Sequence, residues 1–577
     1  MRTKAAATVL LGMLAAMATG NARAQAPFEH REFDATLEAA YRAAPGGGRS
    51  FALHFNYPGA PREQAVAWRL ELLGPSGRPV QRWFGVERLL EGPVTLRIPW
   101  AGRANATALP DGVYQLRLRA LSRDRAAGAP ARMAPRRAGP AADAALAAVE
   151  RTLAADQPDL IEQRWDIIVG NPAPRAMPAF RALPGRADVA AGAAAAPAPA
   201  ALPFTVYYGN LHSQTNHSDG GADVAHCAGA QHPQSGAFGP SDAYAFARGR
   251  GLDILVTSEH NHMYDGSDGT NGDADPASAQ ALYRAGLAQA REFNTGHPDF
   301  AAIYGQEWGV INNGGHLNIF NNQELLGWER NDRQQLLADT LTPKNEYAAL
   351  YALMRERGWI GQFNHPALSG QFRVGGVPFG YSPDGDEAMA LCEIMNSSAF
   401  STNLTETESH RSNYELACNK ALEAGYHVAF SSNQDNHCAN WGASYTNRTG
   451  ILIPNGVALS QASVFEALKA RRVFATMDKA SQLVLTANGH LMGERFSNSG
   501  PLHLLVNHAN SAGRGVATVA VFEGVPGRNG AVTQLSREAA TTITPADGEH
   551  YYYAKVTQDD GNVLWSAPVW VNQRGCE

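Results

Sequence analysis

The 577-residue sequence lacks several features that would place it in a common functional class. No apolar run approaches the roughly 20 residues that a membrane-spanning helix needs. There is no tract of Lys and Arg, and the formal net charge is −6, which together argue against a nucleic-acid partner. The chain also has no G-x-S-x-G elbow and no phosphate-cradling glycine loop. A serine nucleophile and a nucleotide-binding fold therefore have little support.

Cysteine is scarce as well, with five in the whole chain and no zinc-ribbon spacing. Its N-terminus resembles an export signal: Arg2 and Lys4 precede an apolar run, and a small-x-small cleavage motif ends at Ala24. We expect a periplasmic or secreted protein, in which one or two disulfides form and one thiol is left over. The cysteines are Cys227, Cys392, Cys418, Cys438 and Cys576.

Composition divides the chain into four parts after the predicted signal peptide (1–24). Alternating strand-like runs separated by turn residues predict a β-sandwich over 25–172. An Ala/Pro-rich linker covers 173–203, and a second β-sandwich is expected over 479–577. Between them, over 204–478, short apolar runs alternate with helical segments, which predicts βα units and a mainly parallel sheet or barrel. The predicted fold class is therefore α/β.

Histidine is the informative residue, because twelve of the 18 lie between residues 204 and 450. Many directly follow strand-like runs, and active-site residues of (β/α) barrels lie at the carboxyl ends of strands. Six such segments supply imidazole, carboxylate or amide groups: His212, Gln214 and Asp219; Glu259, His260 and His262; Glu307; His316; Asn364 and His365; Asp435, Asn436 and His437.

This combination of groups predicts a metal centre. Imidazole and carboxylate ligands together suit Zn, Mn or Fe, whereas shells made only of oxygen suit Ca or Mg. A carboxylate such as Glu307 can bridge two ions, and the pKa of bound water then falls towards about 7. We keep an ordinary capped or solvated interpretation for His297, His410 and His427.

Two weaker patterns receive structural interpretations. The segment Asp265–Asp275 has the composition of a calcium loop without its ligand spacing, so a solvated loop is expected. Cys227 and Cys438, near His226, His232 and His437, suggest a disulfide or loop packing rather than a further site.

Five motifs occur in the order found in the polymerase-and-histidinol-phosphatase (PHP) superfamily. The sequence resembles its exported branch, which includes carbaryl hydrolases. The segments that carry the resemblance are NLHSQTNHSDG, LDILVTSEHNH, YGQEWG with GGHLNIF, FNHP and SSNQDNH, between about Phe204 and Trp441.

The resemblance implies a distorted (β/α)7 barrel flanked by β-sandwiches, with two to three divalent ions (Zn, Mn or Fe). Three residues depart from the family pattern: Gln214 replaces a histidine, while Asn210 and Glu259 each replace an aspartate. His217 is an alternative ligand in place of Gln214. The implied ligand sets are Glu307, His316 and His365; His212, Glu307 and Asp435; and Asp219, His260 and His437.

The leading hypothesis is an exported metal-dependent hydrolase that uses metal-held hydroxide to cleave a phosphoester or a carbamate or carboxyl ester. The expected partner is a small-molecule ester, and Glu259, His365 or His437 would protonate the leaving group. The alternative is a non-catalytic exported protein that binds a glycan or another partner through a degenerate barrel. Gln214 is the feature that favours this alternative.

Overall fold

The computed structural model describes residues 33–575 with internal gaps. The gaps are 45–47, 58–59, 61, 91, 105–106, 126–139, 155–159, 191–201, 311–313, 367–372, 375–376, 379 and 529–531. The predicted signal peptide, part of the predicted linker and Cys576 lie outside the described residues. Among the described residues, no helix combines the length and apolar character that crossing a bilayer requires.

Nine strands and two helices precede the histidine-rich part. The strands are β1 (Asp34–Glu38), β2 (Arg49–Asn56), β3 (Gln64–Leu73), β4 (Pro79–Leu89), β5 (Val94–Trp100), β6 (Arg103–Ala104), β7 (Thr107–Ala108), β8 (Gly112–Asp124) and β9 (Ile161–Val169). The helices are α1 (Pro140–Thr152) and α2 (Arg186–Ala190).

These strands form a three-stranded sheet of order β1-β2-β5 and a four-stranded sheet of order β4-β3-β8-β9, plus the small β6-β7 pair. In β8, buried residues alternate with half-buried ones, as the alternating sequence predicts for a strand with one face on a core. The fully buried Trp68 and Phe51 belong to that core.

The middle of the chain supplies fourteen strands and six helices. The strands are β10 (Phe204–Asn210), β11 (Ile254–His260), β12 (Ala301–Val310), β13 (Gly315–Phe320), β14 (Leu326–Gly327), β15 (Thr340–Leu341), β16 (Ile360–Phe363), β17 (Arg373–Val374), β18 (Val377–Pro378), β19 (Met389–Ser397), β20 (Arg411–Asn413), β21 (Ala429–Asn433), β22 (Arg448–Pro454) and β23 (Val473–Thr476). The helices are α3 (Pro240–Gly249), α4 (Pro276–Gly296), α5 (Tyr347–Arg357), α6 (Pro383–Ala388), α7 (Glu415–Ala424) and α8 (Gln461–Lys469).

The last part of the described chain is all strand. Its elements are β24 (Ser481–Ala487), β25 (His490–Leu491), β26 (Arg495–Ser499), β27 (Leu502–Asn510), β28 (Val516–Gly524), β29 (Thr533–Ser536), β30 (Ala540–Ile543), β31 (Gly548–Gln558), β32 (Val563–Ser566) and β33 (Val569–Arg574).

One mixed sheet of 16 strands runs through the middle and the end of the chain. Its main path is β20-β19-β16-β13-β12-β11-β10-β22-β23-β32-β31-β28-β29, and β21 pairs with β19 beside this path. Strands β10, β11 and β12 are parallel, as are β16, β19 and β21. Strand β13 is antiparallel to both neighbours, and β22 is antiparallel to β10.

The predicted fold class, an α/β protein with a distorted (β/α)7 barrel between separate sandwiches, is therefore wrong. The described residues form 33 strands and only eight helices, and the large sheet is mixed and open-ended. Four residues separate β12 from β13, so no helix can intervene and the two strands pair antiparallel. The sheet also continues from β23 into β32, which joins the middle to the C-terminal strands. The predicted domain boundaries themselves stay predictions.

Two helices and one loop follow their sequence signals. Helix α3 ends two residues before Gly251, whose φ of 84° is the left-handed conformation common just after a helix C-terminus. Helix α4 is capped at its N-terminus by Asp275, whose carboxylate accepts hydrogen bonds from the backbone N–H groups of Ala277 and Ser278. In the same loop the carboxylate of Asp265 accepts backbone hydrogen bonds from Ser267 and Asn271. Two carboxylates of this acidic segment therefore bind backbone N–H groups of their own loop and of the helix that follows.

Within the described part of the chain there are two disulfides, Cys227–Cys438 and Cys392–Cys418. The first joins the segment after β10 to the segment after β21, across 211 residues of sequence. The structural interpretation of Cys227 and Cys438 is confirmed.

Candidate metal centre

The predicted ligands converge at one edge of the large sheet. His212 follows β10, His260 ends β11, Glu307 lies in β12 and His316 in β13. His365 follows β16, and Asp435 and His437 follow β21. All seven are buried, and so is Asp219 in the loop after β10. We call these eight residues the Glu307 cluster.

The carboxylate of Glu307 lies at the centre of the cluster, among four imidazole rings. Its Oε1 is 3.0 Å from His316 Nδ1 and 3.2 Å from His365 Nε2. Its Oε2 is 3.0 Å from His212 Nε2 and 3.6 Å from His260 Nδ1. Both oxygens therefore face nitrogen ligands, as a bridging carboxylate would.

Asp219 and Asp435 extend the cluster on one side. Asp219 Oδ1 lies 3.7 Å from His260 Nε2 and 3.4 Å from His437 Nε2. Asp435 Oδ1 lies 3.1 Å from His212 Nε2 and 3.8 Å from His437 Nδ1. The two rings of His260 and His437 thus connect Asp219 to the rest of the cluster.

Three groups within the cluster have ligand atoms close enough to share an ion, all within 4.8 Å of one another. They are His212, Glu307 and His365; His260, Glu307 and His316; and Asp219, His260 and His437. The last group has the same members as one of the sets that the family resemblance implies. The other two combine the histidines around Glu307 differently, because His365 lies with His212 and His316 lies with His260.

Glu393, in β19, supports the cluster and was missed by sequence reasoning. Its carboxylate is fully buried, lies 3.2 Å from His212 Nδ1 and accepts a 2.8 Å hydrogen bond from the backbone N–H of His365. A proton on His212 Nδ1 directs the lone pair of Nε2 towards Glu307, the usual role of a carboxylate behind a metal-binding histidine. A single charged residue inside the apolar run of β19 was the available signal.

Gln214 contacts the centre as a hydrogen-bond donor. Its Nε2 donates to Glu307 Oε2 over 2.7 Å, while Asn364 Nδ2 donates to Oε1 over 2.9 Å. The Gln214 amide oxygen has no hydrogen-bond partner among the described residues. Two neutral amides therefore hold the Glu307 carboxylate in place, and the Gln214 oxygen is the atom that would bind an ion.

Asn210, Glu259 and His217 lie outside the three groups. The amide of Asn210 accepts from Gln434 N and donates to Asn436, so it ties two loops together. Glu259 is fully buried and accepts hydrogen bonds from Thr215 and Ser218. Burial, the largest effect, raises the pKa of Glu259 to about 7 although these donors oppose it.

His217 contacts Tyr304, whereas a replacement for Gln214 as a metal ligand would contact the Glu307 cluster. Its Nδ1 is 2.7 Å from the hydroxyl of Tyr304, and burial lowers its pKa to about 4. A neutral imidazole in this position packs beneath the loop. Of His217 and Gln214, it is Gln214 that lies beside Glu307.

Electrostatics within the cluster favour charge pairing. Burial alone would raise the pKa of Glu307, but His212, His316 and His260 outweigh it and hold this pKa well below its usual range. Burial would lower the pKa of His212, but Asp435, Glu307 and Glu393 together raise it well above its ordinary value. The site is therefore arranged for positive charge beside ionised carboxylates.

Two residues of the cluster have strained backbone conformations. His365 has φ = 28° and Asp435 has φ = 50°, in the region that non-glycine residues rarely adopt. Strain of this kind costs about 1–3 kcal/mol per residue and persists where the surrounding structure fixes it, commonly at functional sites.

No protein-family model and no curated protein matches this sequence. Among solved structures, a Bacteroides fragilis protein assigned as a beta-galactosidase aligns at 10% identity and TM-score 0.15, over 94% of this chain and 74% of its own. A beta-glucuronidase from Parabacteroides merdae aligns at 11% identity and TM-score 0.14, over 95% of this chain and 65% of its own. Both neighbours are enzymes that are named for glycosides. Alignments at these TM-scores establish neither a shared fold nor a shared activity.

The donor set of the cluster fits divalent Zn, Mn or Fe. It combines imidazole nitrogen with carboxylate oxygen, is buried, and has supporting carboxylate and amide groups behind its ligands. On one side of the cluster, the ring of His437 packs 4.8 Å from that of Phe400. Phe400 is 44% exposed.

Proposed function

We propose that this chain is a metal-dependent hydrolase that cleaves an ester bond of a small molecule. The observation that carries the proposal is the position of Glu307, whose carboxylate belongs to two histidine-containing groups and is joined to a third group through His260. When bound, divalent ions at such a site lower the pKa of water and neutralise negative charge that develops on the ester.

The protein residues would fix the geometry of this reaction. Glu393 holds His212 by its Nδ1, and the backbone carbonyl of Asp435 accepts from His437 Nδ1 over 2.9 Å. Each ring then presents Nε2 to the centre. Gln214 and Asn364 restrain Glu307, which reduces the reorganisation needed when the substrate reacts.

Among the three predicted proton donors, position favours His437. It packs against the half-exposed Phe400, where the leaving group of a substrate would enter. Glu259 is buried beneath the loop and is already an acceptor for Thr215 and Ser218. His365 lies deeper, against Glu307. We therefore assign the leaving-group proton to His437, whose Nε2 would carry it when ions occupy only the two groups that contain Glu307.

The resemblance of the five motifs to the PHP superfamily guides the choice of substrate. The superfamily mostly cleaves phosphoesters, and its carbaryl branch cleaves carbamate esters. We propose phosphoesters and carbamate esters as the substrate classes, and carboxyl esters as a third class with similar chemistry. Export is part of the same proposal, although residues 1–24 lie outside the described structure.

The alternative, a protein that binds a partner without catalysis, is favoured by one observation. Gln214 places an amide nitrogen on Glu307, where the family pattern has a ligand. A binder would keep its partner after metal removal, whereas a catalyst would lose turnover and regain it with Zn or Mn.

The first test is elemental analysis of the purified full chain, with Asp435→Ala as the site variant and the exposed His226→Gln as the control. We expect two or more equivalents of Zn, Mn or Fe in the wild type and in His226→Gln. Asp435→Ala should lose metal, because its carboxylate faces His212 and His437. Turnover of aryl phosphates and aryl carbamates is then compared before and after chelation.

Less than about one equivalent after metal-replete expression would contradict the proposal. Metal without turnover on either ester class would favour the binding alternative.

A further inference from the structure

A second group of potential ligands shares no residue with the Glu307 cluster. It consists of Glu38 at the end of β1, His54 in β2 and His410 just before β20, and we call it the His54 group. Its three ligand atoms lie within 4.8 Å of one another. The sequence predicts only a capped or solvated side chain for His410, because no neighbouring residue in the sequence indicates a site.

The three-stranded sheet determines where Glu38 and His54 lie. His54 pairs with Thr36 in β1 and with Thr95 in β5, while Glu38 pairs with Ala52. Glu38 and His54 are therefore diagonal neighbours on one face of the sheet. The Oε2 of Glu38 is 3.6 Å from His54 Nε2.

His410 approaches the same point from the large sheet. Its ring centroid is 4.5 Å from that of His54, with the planes at 69°. Because β20 pairs with β19, any bond through His410 would connect the three-stranded sheet to the large sheet.

Each histidine has one ring nitrogen held from behind. His54 Nδ1 lies 2.9 Å from Thr95 Oγ1, and His410 Nδ1 lies 3.3 Å from Glu408 Oε1. The remaining nitrogen of each ring is Nε2, and in His54 it is buried without a hydrogen-bond partner among the described residues. This arrangement, with Nδ1 fixed and Nε2 available, is that of metal-binding histidines.

Charge around the group also favours a cation. Asp34, Glu38 and Glu408 act on His410, whereas Arg97 is the cation that acts on His54. Among these charged groups near the two rings, three are carboxylates and one is a guanidinium, so negative charge predominates. The side chains of His54, Glu38 and His410 are 19%, 40% and 48% exposed, so an ion can enter from solvent.

We propose that Glu38, His54 and His410 form a zinc site, separate from the Glu307 cluster, that joins the N-terminal three-stranded sheet to the large sheet. Two imidazoles and one carboxylate are a common zinc ligand set, with water in the fourth position. Its ligands come from both sheets, so a bound ion would link the two sheets. The proposal does not depend on the proposed hydrolase activity.

The test counts zinc in the chelator-treated full chain after dialysis against buffers of defined free zinc. The variant is His54→Gln with His410→Gln, and the matched control is His226→Gln with His490→Gln, two exposed histidines that also pair with carboxylates. We expect the variant to bind one equivalent less than the wild type and the control to bind the same amount. The same difference should remain in an Asp435→Ala background, which separates this site from the Glu307 cluster.

Two single variants test the proposal if the double variant folds poorly. Thr95→Val removes the partner of His54 Nδ1 and should lower the affinity of this site for zinc by about 10–100-fold. Glu38→Gln should remove it. Equal zinc content and affinity in the wild type, the double variant and Glu38→Gln would overturn the proposal and leave a simple contact between two rings.

Discussion

Glu307 shows what single residues contribute to the proposed chemistry, because each of its two carboxylate oxygens faces two histidines. Sequence reasoning identified Glu307 and its histidines from their positions after strand-like runs. It could not assign each histidine to an oxygen, since that depends on side-chain rotamers and on the antiparallel β13. It also missed Glu393, whose contact with His212 appears only once β19 is placed beside β16 and β21.

Replacing Gln214 tests the main departure from the family pattern. Gln214→His should tighten binding of the weakest metal equivalent by about 10-fold or more, because imidazole is a better ligand than an amide oxygen for these ions. Competition with a chromophoric chelator measures the change, and Gln214→Asn serves as the control. Unchanged affinity in Gln214→His would mean that this position does not bind metal.

The assigned proton donor can be tested through the leaving group. His437→Gln should lower kcat by about 100-fold or more for an alkyl ester, which needs protonation, and much less for a nitrophenyl ester. The measurement is kcat for both esters at saturating metal. Equal losses would contradict the assignment and leave His437 as a ligand only.

At the scale of elements, the sequence predicted strands and helices better than it predicted strand direction. The alternation of helical segments with apolar runs over 204–478 is reflected in helices such as α3 and α4, which have Gly251 just after the first and Asp275 just before the second. The direction of β13 was not recognisable, because strand alternation is the same in parallel and antiparallel pairs. Only the short connection after β12 distinguishes them.

His427 joins two elements, and its ionisation should make this contact depend on pH. Its Nδ1 is 2.8 Å from Asp386 in α6, and its Nε2 is 3.0 Å from Glu549 in β31. Burial lowers the pKa of His427, but the two carboxylates outweigh it and raise the pKa above its ordinary value. A raised folded-state pKa adds stability below the unfolded-state pKa, and this stability is lost as pH rises through the folded-state pKa.

His427→Gln should therefore lower the free energy of unfolding most between about pH 5 and 6.5, by about 1.5–3 kcal/mol, and less at higher pH. Denaturant titrations across this pH range measure the difference. The exposed pair of His490 and Glu494 supplies the control, since His490→Gln should change stability by less than about 1 kcal/mol at any pH. A loss that does not vary with pH would show that His427 is neutral in the folded protein.

At the scale of the whole molecule, the two disulfides allow a matched comparison. Cys227–Cys438 closes a loop of 211 residues and Cys392–Cys418 one of 26. Loop-closure entropy predicts about 5 kcal/mol for the first and about 3–4 kcal/mol for the second. Cys438 is adjacent to the proposed ligand His437, whereas Cys392 is adjacent to Glu393, which only supports His212 from behind. Replacing the first pair by Ser should therefore reduce metal content more than replacing the second. Equal metal loss in both variants would show that only global stability matters.

The continuity of the large sheet was beyond sequence reasoning. Composition changes near residue 479 and suggested a separate sandwich, but β23 pairs with β32 nearly ninety residues later. Local patterns contain no information about such distant pairing, because both strands have the same apolar character. The same limit applies to the contact between His54 and His410.

The pairing of β23 with β32 also limits when the large sheet can be completed while the chain is being synthesised. The ribosome completes β23 long before β32 emerges, so the hydrogen-bonding edge of β23 has no partner during that interval. Long-range strand pairing is slow, and open edges invite association with other chains. A chain with this topology needs its edge shielded until its last strands arrive, and premature termination after residue 478 would produce an aggregation-prone product.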